Sequence, residues 1–342
     1  MPAPRVSVVM TVYNGARLVA ESIESVLGQT FADFEFVIVD DGSTDETPAV
    51  LATYARRDGR ISVHTQPHNL GFREALNQGC RLARASLIAR LDADDISLPN
   101  RFEHQVAFLD AHPDVGVVGS AVQLVDERGV RGIVKSFPAD PDLVAWSMLF
   151  FNSLAHPAVM LRRALLEQVG FYPAGCQGGT EDYAVFMALS RVTRLANLPG
   201  VLLLYRTWAQ NMTARSWEAQ ERDAGRILRE CLAAWWQIEV TPEQASLLRG
   251  LSKDQYPQSS GELRAIAALI PTMLDAFCRD SGRGSGVASV RRDAAVRLWL
   301  LAALAVRKSP ALAVALPFRA TTISPASGWF FGIKAAKRLA GR

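Results

Sequence analysis

Val37-Ile38-Val39-Asp40-Asp41-Gly42-Ser43-Thr44 and Leu87-Ile88-Ala89-Arg90-Leu91-Asp92-Ala93-Asp94-Asp95 each end an apolar run in a cluster of acids. A short, continuously apolar run reads as a parallel strand buried on both faces, and in open α/β sheets ligands gather beyond the carboxyl ends of such strands. Both clusters therefore face one crevice. Crowded carboxylates repel one another unless a cation or a hydrogen-bonding ligand compensates, so a hard divalent metal carrying phosphate oxygens is the natural occupant. That combination points to a nucleotide-sugar site.

The alternation of strand and helix extends outward from these two runs. Val6 to Thr11 reads as a first strand, Asn14-Gly15 as a turn, and Arg17 to Gln29 as a helix through Leu18, Ile23, Val26 and Leu27. Phe34 to Asp40 is the second strand, and the capping-box spacing of Ser43 and Glu46 predicts a helix from there toward Arg57. Ile61 to Thr65 is a weaker strand, Gly71 to Ala85 a helix and Leu87 to Asp92 a buried strand. Pro99 suits the first turn of a helix through Asp110, and Val115 to Ser120 is strand again. The class is α/β, a doubly wound and mostly parallel sheet.

Between Asp126 and Pro141 the Gly and Pro content predicts a hairpin or lid. Arg163 to Val169 and Glu181 to Val192 read as helices, Val201 to Tyr205 as a strand, and beyond Ser216 only helical patterns occur. The expected division is a sheet-bearing domain over residues 1–215 and a mainly helical extension over 216–342.

The charge is unevenly spread. The chain carries +3 overall, yet Ala294 to Arg342 holds eight Lys or Arg and no Asp or Glu, which leaves −5 for the rest. Cys80, Cys176, Cys231 and Cys278 are scattered without a C-x-x-C pair, favouring reduced thiols and a cytoplasmic setting. The amino terminus lacks a signal-peptide core, and the longest apolar run of the tail, Leu298 to Val306, has nine residues against the ~20 that span a bilayer. No transmembrane helix is expected.

Asp92-x-Asp94 at a strand end is either a ligand site or a set of solvated, helix-capping acids, and its context favours the first. Asp40 is placed to accept from a base or ribose, while Asp41 is expected to order the local turn with Ser43.

These stretches, with Val8-Val9-Met10-Thr11-Val12-Tyr13-Asn14-Gly15, Asn69-Leu70-Gly71, Ala75-Leu76-Asn77, Gly179-Thr180-Glu181-Asp182 and Tyr205-Arg206, resemble glycosyltransferase family 2 from about Arg5 to Thr213. The resemblance implies a GT-A fold that transfers a sugar, with inversion, from a nucleoside diphosphate sugar donor, a UDP-sugar above all, to a glycan or lipid-linked acceptor. It implies that Thr11, Tyr13 and Asp40 line the base and ribose pocket, with Arg73 near the nucleotide. Asp92 and Asp94 would hold the ribose and the metal-diphosphate, supported by Asp95, and Asp182 would be the catalytic base beside Glu181.

The chemistry accounts for these residue types. Departure of the diphosphate builds negative charge that Mg²⁺ or Mn²⁺ stabilises, and the acceptor hydroxyl needs a carboxylate to take its proton. Glu181-Asp182 also suits a helix N-terminus, where the dipole favours anions, and the two readings are compatible. One position departs from the family. Where a histidine metal ligand often follows Tyr-Arg by two positions, this chain has Trp208, so metal use or activity is open, and a non-catalytic sugar-nucleotide or glycan-binding protein is the rival reading.

His156, Arg206 and Trp208 are candidates for the acceptor side or a closing lid, although a lone histidine such as His156 is more often structural. In the basic tail, Leu298, Trp299, Leu301 and Leu304 with Arg297, Arg307 and Lys308 either lie on an anionic membrane, as a peripheral protein would, or pack in a helical core. Nucleic-acid binding is not expected, because no aromatic-basic platform is present.

Overall fold

The apolar run Val6–Val12 forms β1, with every residue buried. The computed structural model describes residues 3–207, 217–253, 255–280 and 287–328. After β1 come α1 (Val19–Leu27), β2 (Phe34–Asp40), α2 (Thr47–Arg57), β3 (Ile61–Thr65), α3 (Phe72–Leu82), β4 (Leu87–Asp92), β5 (Ile96–Ser97) and α4 (Arg101–Ala111). The chain continues through β6 (Val115–Val125), β7 (Arg131–Lys135), α5 (Pro141–Ser147), a 3-10 turn at His156–Ala158, β8 (Met160–Arg162), α6 (Arg163–Gln168), α7 (Glu181–Val192) and β9 (Arg194–Arg206).

Among the described residues these strands form one nine-stranded sheet in the order β3-β2-β1-β4-β8-β6-β9-β5, with β7 added to β6. The pairs β3-β2, β2-β1, β1-β4 and β6-β9 are parallel, while β8 runs antiparallel to both β4 and β6. Register places Val12 beside Asp40 and Thr11 beside Asp92, so both acidic clusters emerge at one edge. Val8, Met10, Ile23, Phe36, Ile38, Leu51 and Phe102 fill the core beneath this edge.

The second, third and fourth strands fall where their apolar runs predict. Other expectations shift for identifiable reasons. No capping box forms at Ser43, because its hydroxyl accepts from the Asn14 N–H at 2.9 Å, and α2 begins only at Thr47. Pro99 precedes α4 rather than opening it, and its carbonyl accepts from the Thr30 N–H at 2.8 Å. The strands expected at 115–120 and 201–205 lengthen into β6 and β9, which pair along most of their length.

Two compact units result, Met1–Val144 with Asn152–Gln220, and Ala145–Phe151 with Glu221–Arg342. The helices at the carboxyl end are α8 (Trp217–Trp236), α9 (Pro242–Gly250), α10 (Ser260–Asp280), α11 (Val287–Ala305) and α12 (Pro310–Ile323). In the second unit the Trp146 indole N–H and Arg297 both donate to Asp293, at 3.0 and 2.6 Å, and Arg297 lies 3.5 Å over the Phe150 ring. Leu298 and Leu301 are fully buried, and Trp299 donates to Ser327 at 3.0 Å. Leu298 and Leu301 of the tail's apolar stripe are therefore part of a helical core. No helix of the described residues is long and apolar enough to cross a membrane.

Gly79 lets α3 settle against the sheet, since a Cβ there would stand 2.6 Å from a Val9 methyl and 3.3 Å from one of Val39. Valine in a strand is stiff at χ1 and cannot swing aside. Gly79→Ala should therefore lose about 1–3 kcal/mol to overpacking, outweighing the helix-propensity gain of about 1 kcal/mol. Urea unfolding measures the difference; a stabilised variant would mean that α3 does not seat this closely.

Candidate active site

The chain turns sharply after β4, with the Asp95 N–H donating to the Asp92 carbonyl at 3.3 Å. The turn gathers Asp92, Asp94 and Asp95 so that one carboxylate oxygen from each lies within 4.8 Å of the others. Two arginines hold them. Arg206, buried at the end of β9, donates its N–H to Asp95 at 2.8 Å and its Nε to the Asp94 carbonyl at 3.0 Å, and its guanidinium reaches Glu21 at 2.7 Å. Arg90, two residues before Asp92 on the same strand face, pairs with it at 2.5 Å beside the Phe72 ring.

This arrangement leaves charge uncompensated. Burial, followed by the charge of Asp92, pushes Asp94 up to about 6. Asp95 is held well above the carboxylate range by burial and by both neighbours. Among the described residues the buried Asp95 Oδ2 has no hydrogen-bond partner, nor do Arg90 Nε and Nη1. An all-oxygen donor set with an orphaned carboxylate oxygen fits a hard cation such as Mg²⁺ or Mn²⁺.

The facing wall is the start of α7. Asp182 accepts from the Tyr183 N–H at 2.6 Å and from the Asn152 amide at 2.9 Å. Burial and the adjacent Glu181 charge push Asp182 up to about 7, while those two hydrogen bonds pull against the shift. Glu181 is buried beside it. His156 Nε2 lies 2.9 Å from the Tyr172 hydroxyl, and burial together with the Arg90 charge holds the imidazole well below its ordinary value, hence neutral. The Asn77 side-chain amide fixes Tyr172, donating to its carbonyl at 2.9 Å and accepting from its N–H at 3.0 Å.

One cavity of about 500 Å³ brings Arg90, Asp92, Asp94 and Asp95 together with Asp182, Glu181, His156 and Arg206. Thr11, Tyr13, Asp40 and Arg73 do not line it. Thr11 and Asp40 lie buried at the ends of β1 and β2, Tyr13 is half exposed just beyond, and Arg73 pairs with Glu74 at 3.2 Å in the first turn of α3. The local turn at Ser43, expected of Asp41, is ordered by Asp40. It is Asp40 that accepts from the Ser43 N–H, at 3.0 Å, while Asp41 reaches across to the Leu70 and Gly71 N–H groups at 2.8 and 2.9 Å. The second Asp40 oxygen is buried without a hydrogen-bond partner among the described residues. Arg206, expected on the acceptor side or in a lid, is the strand-end clamp of the acidic turn. Trp208 lies outside the described residues.

Arg90 and Asn152 were not among the sequence candidates. Alternation along β4 marks Arg90, which shares a face with Asp92. Nothing in the local sequence marks Asn152.

Residues 7–179 match the family described as Glycosyl transferase family 2. The O-antigen biosynthesis glycosyltransferase WbnJ of Escherichia coli is 32% identical over 66% of this chain and 89% of its own length. The putative glycosyltransferase EpsE of Bacillus subtilis is 40% identical over 46% of this chain, which spans 56% of that relative. S. aureus TarS 1-349 in complex with UDP-GlcNAc superposes with a TM-score of 0.58 at 18% identity, over 94% of this chain and 91% of that one. The mannosyltransferase PcManGT from Pyrobaculum calidifontis, in complex with GDP-Man and Mn2+, does so at 0.52 and 20%, over 96% and 88%.

The Asp182 proton is held to about pH 7 in the folded chain, against 3.8 for an ordinary aspartate. The unfolded chain therefore binds fewer protons between those values, and stability falls as pH rises through that window and stays lower above it. Asp182→Asn removes the penalty. At about pH 8 it should unfold later than the parent, by the equivalent of about 1 kcal/mol or more, and at about pH 4 the two should coincide. Matching midpoints at both pH values would show that the carboxylate is not disfavoured there.

Proposed function

We propose that this chain, which belongs to glycosyltransferase family 2, moves a sugar with inversion from a nucleoside diphosphate sugar, in the first instance a UDP-sugar, to an acceptor hydroxyl in surface polysaccharide or lipid-linked glycan synthesis. The observation that carries this reading is the single cavity in which the acidic turn after β4 faces the paired acids opening α7. One cluster suits a cation and diphosphate, and the other suits a proton acceptor.

The relatives and neighbours support the details. WbnJ is named for O-antigen biosynthesis, TarS holds UDP-GlcNAc, and PcManGT holds GDP-Man with Mn2+. Asp94, with Asp92 and Asp95, would hold the Mg²⁺ or Mn²⁺, which when bound stabilises negative charge on the departing diphosphate. The orphaned Asp40 oxygen is placed to accept from the base or ribose, beside Thr11 and Tyr13, with Arg73 at the edge of the nucleotide. Arg90, with two unpartnered nitrogens at the cavity floor, offers donors to the sugar or diphosphate.

Asp182 is the base. Its enclosure keeps the proton affinity high enough to take a proton from a hydroxyl, and the Tyr183 and Asn152 hydrogen bonds point the carboxylate into the cavity. A single carboxylate suffices for one in-line displacement, which is why inversion goes with this site. Glu181 and His156 shape the acceptor side. The setting is cytoplasmic, at the inner face of the membrane where a lipid-linked acceptor resides, and any contact made by the basic tail draws on its charge.

Thermal unfolding with UDP, GDP, dTDP and CMP and the matching sugar nucleotides, each with and without Mn²⁺, tests the donor site. A ligand that binds only the native chain raises the midpoint by mass action. The UDP pair should shift it and the shift should need the metal; Asp182→Asn should keep the shift and lose turnover by about 10²–10⁴-fold. Failure of every nucleotide to shift folded protein, or full turnover without Asp182, overturns the reading.

Turnover per bound substrate should rise with pH to a plateau above about pH 7. Asn152→Ala removes a hydrogen bond that favours the anion, so the limb should move to higher pH with donor binding unchanged. A uniformly lower profile with its limb in place would mean that Asn152 only supports the loop.

A further inference from the structure

The β6-β7 hairpin is the exposed feature that the catalytic reading does not use. Residues 126–136 are all exposed, and Val130, Ile133 and Val134 present 62%, 67% and 48% of their surface to solvent. β7 pairs only with β6, so among the described residues its outer edge is open. Natural sheets rarely leave an apolar edge strand bare, because it invites pairing with another chain.

The charges on this edge select the partner. Arg128, Arg131 and Lys135 project from the hairpin, and none of them makes an ion pair among the described residues. The turn at its tip also carries two acids, and both have partners. Asp126 accepts from the Arg128 and Val130 N–H groups at 2.9 and 2.8 Å, closing the turn, and Glu127 pairs with Arg17 at 3.4 Å. A second copy pairing edge to edge would bring cations against cations. Apolar side chains interleaved with arginine and lysine suit instead the boundary of an anionic bilayer, where cations meet headgroups and aliphatic side chains enter the acyl boundary. The hairpin also reaches the cavity, since Val122, Leu124 and Lys135 line its wall.

We propose that the β6-β7 hairpin docks on an anionic lipid surface and so sets the mouth of the cavity against the membrane. The proposal goes beyond the transfer reaction and stands on the hairpin alone. An acceptor carried on a lipid would then meet the site without leaving its bilayer.

Co-sedimentation of the full chain with vesicles of phosphatidylcholine, alone or mixed with phosphatidylglycerol, tests it. The parent should bind the mixed vesicles and not the neutral ones. Arg128→Glu with Arg131→Glu, and separately Ile133→Ser with Val134→Ser, should each lower the bound fraction about tenfold or more, given roughly fivefold per basic residue near such a surface. These positions are exposed, and unchanged thermal midpoints verify folding. Val314→Ser with Phe318→Ser, at exposed apolar positions of α12, should bind as the parent does. The proposal is overturned if the parent ignores the mixed vesicles, if the hairpin variants bind undiminished, if only the α12 variant loses binding, or if the hairpin variants instead dissolve a dimer formed without lipid. Nucleotide-induced shifts, read on the same proteins, report on the donor site separately.

Discussion

Mutual repulsion among Asp92, Asp94 and Asp95 is the constraint around which this structure is arranged. Three carboxylates within 4.8 Å at the end of a buried strand are unfavourable unless positive charge is brought to them. The fold brings it from two directions. Arg90 comes from β4 itself, and Arg206 from β9, a strand more than a hundred residues later in the chain. Arg101, fully buried in α4, donates to the Arg90 and Val159 carbonyls at 2.7 and 3.1 Å, where β4 passes from a parallel to an antiparallel neighbour. Burial, with the charge of Arg90 and against that of Asp95, pulls that guanidinium down to about 9.

The second group of acids is handled differently. Asp182 draws on the first turn of α7, whose free N–H groups and dipole favour an anion, on the Asn152 amide and on the charge of Arg90. These are weaker compensations than the direct ion pair that Arg90 makes with Asp92. Burial and Glu181 therefore win, and the carboxylate settles near 7. Two acidic clusters that line one cavity of a GT-A fold thus differ in character, one suited to hold a cation and the other to exchange a proton.

Much of this was legible in the sequence because the deciding strands are buried on both faces. Phe34–Asp40 and Leu87–Asp92 are each mostly apolar, broken once by Glu35 and by Arg90, and each ends in acid at its carboxyl end. The short strands β5 and β8 were not legible, because two or three residues carry no period and pair only after the long strands are in place. Ser43 illustrates the same limit. Its spacing to Glu46 promises a capping box, yet a tertiary partner, the Asn14 N–H, claims the hydroxyl first. Asn152 is the extreme case, a residue whose importance exists only once α7 has been placed beside it.

The two clusters also respond differently to a ligand. At Asp94 and Asp95 the raised proton affinity comes from burial and from like charges that Arg90 offsets only in part, so a cation held there would lower it further. Such a cation does not remove the cause at Asp182, which is burial beside Glu181 at a helix start. A cation at the first cluster would therefore favour ionisation there more than at Asp182, whose raised proton affinity comes from its own burial and from Glu181.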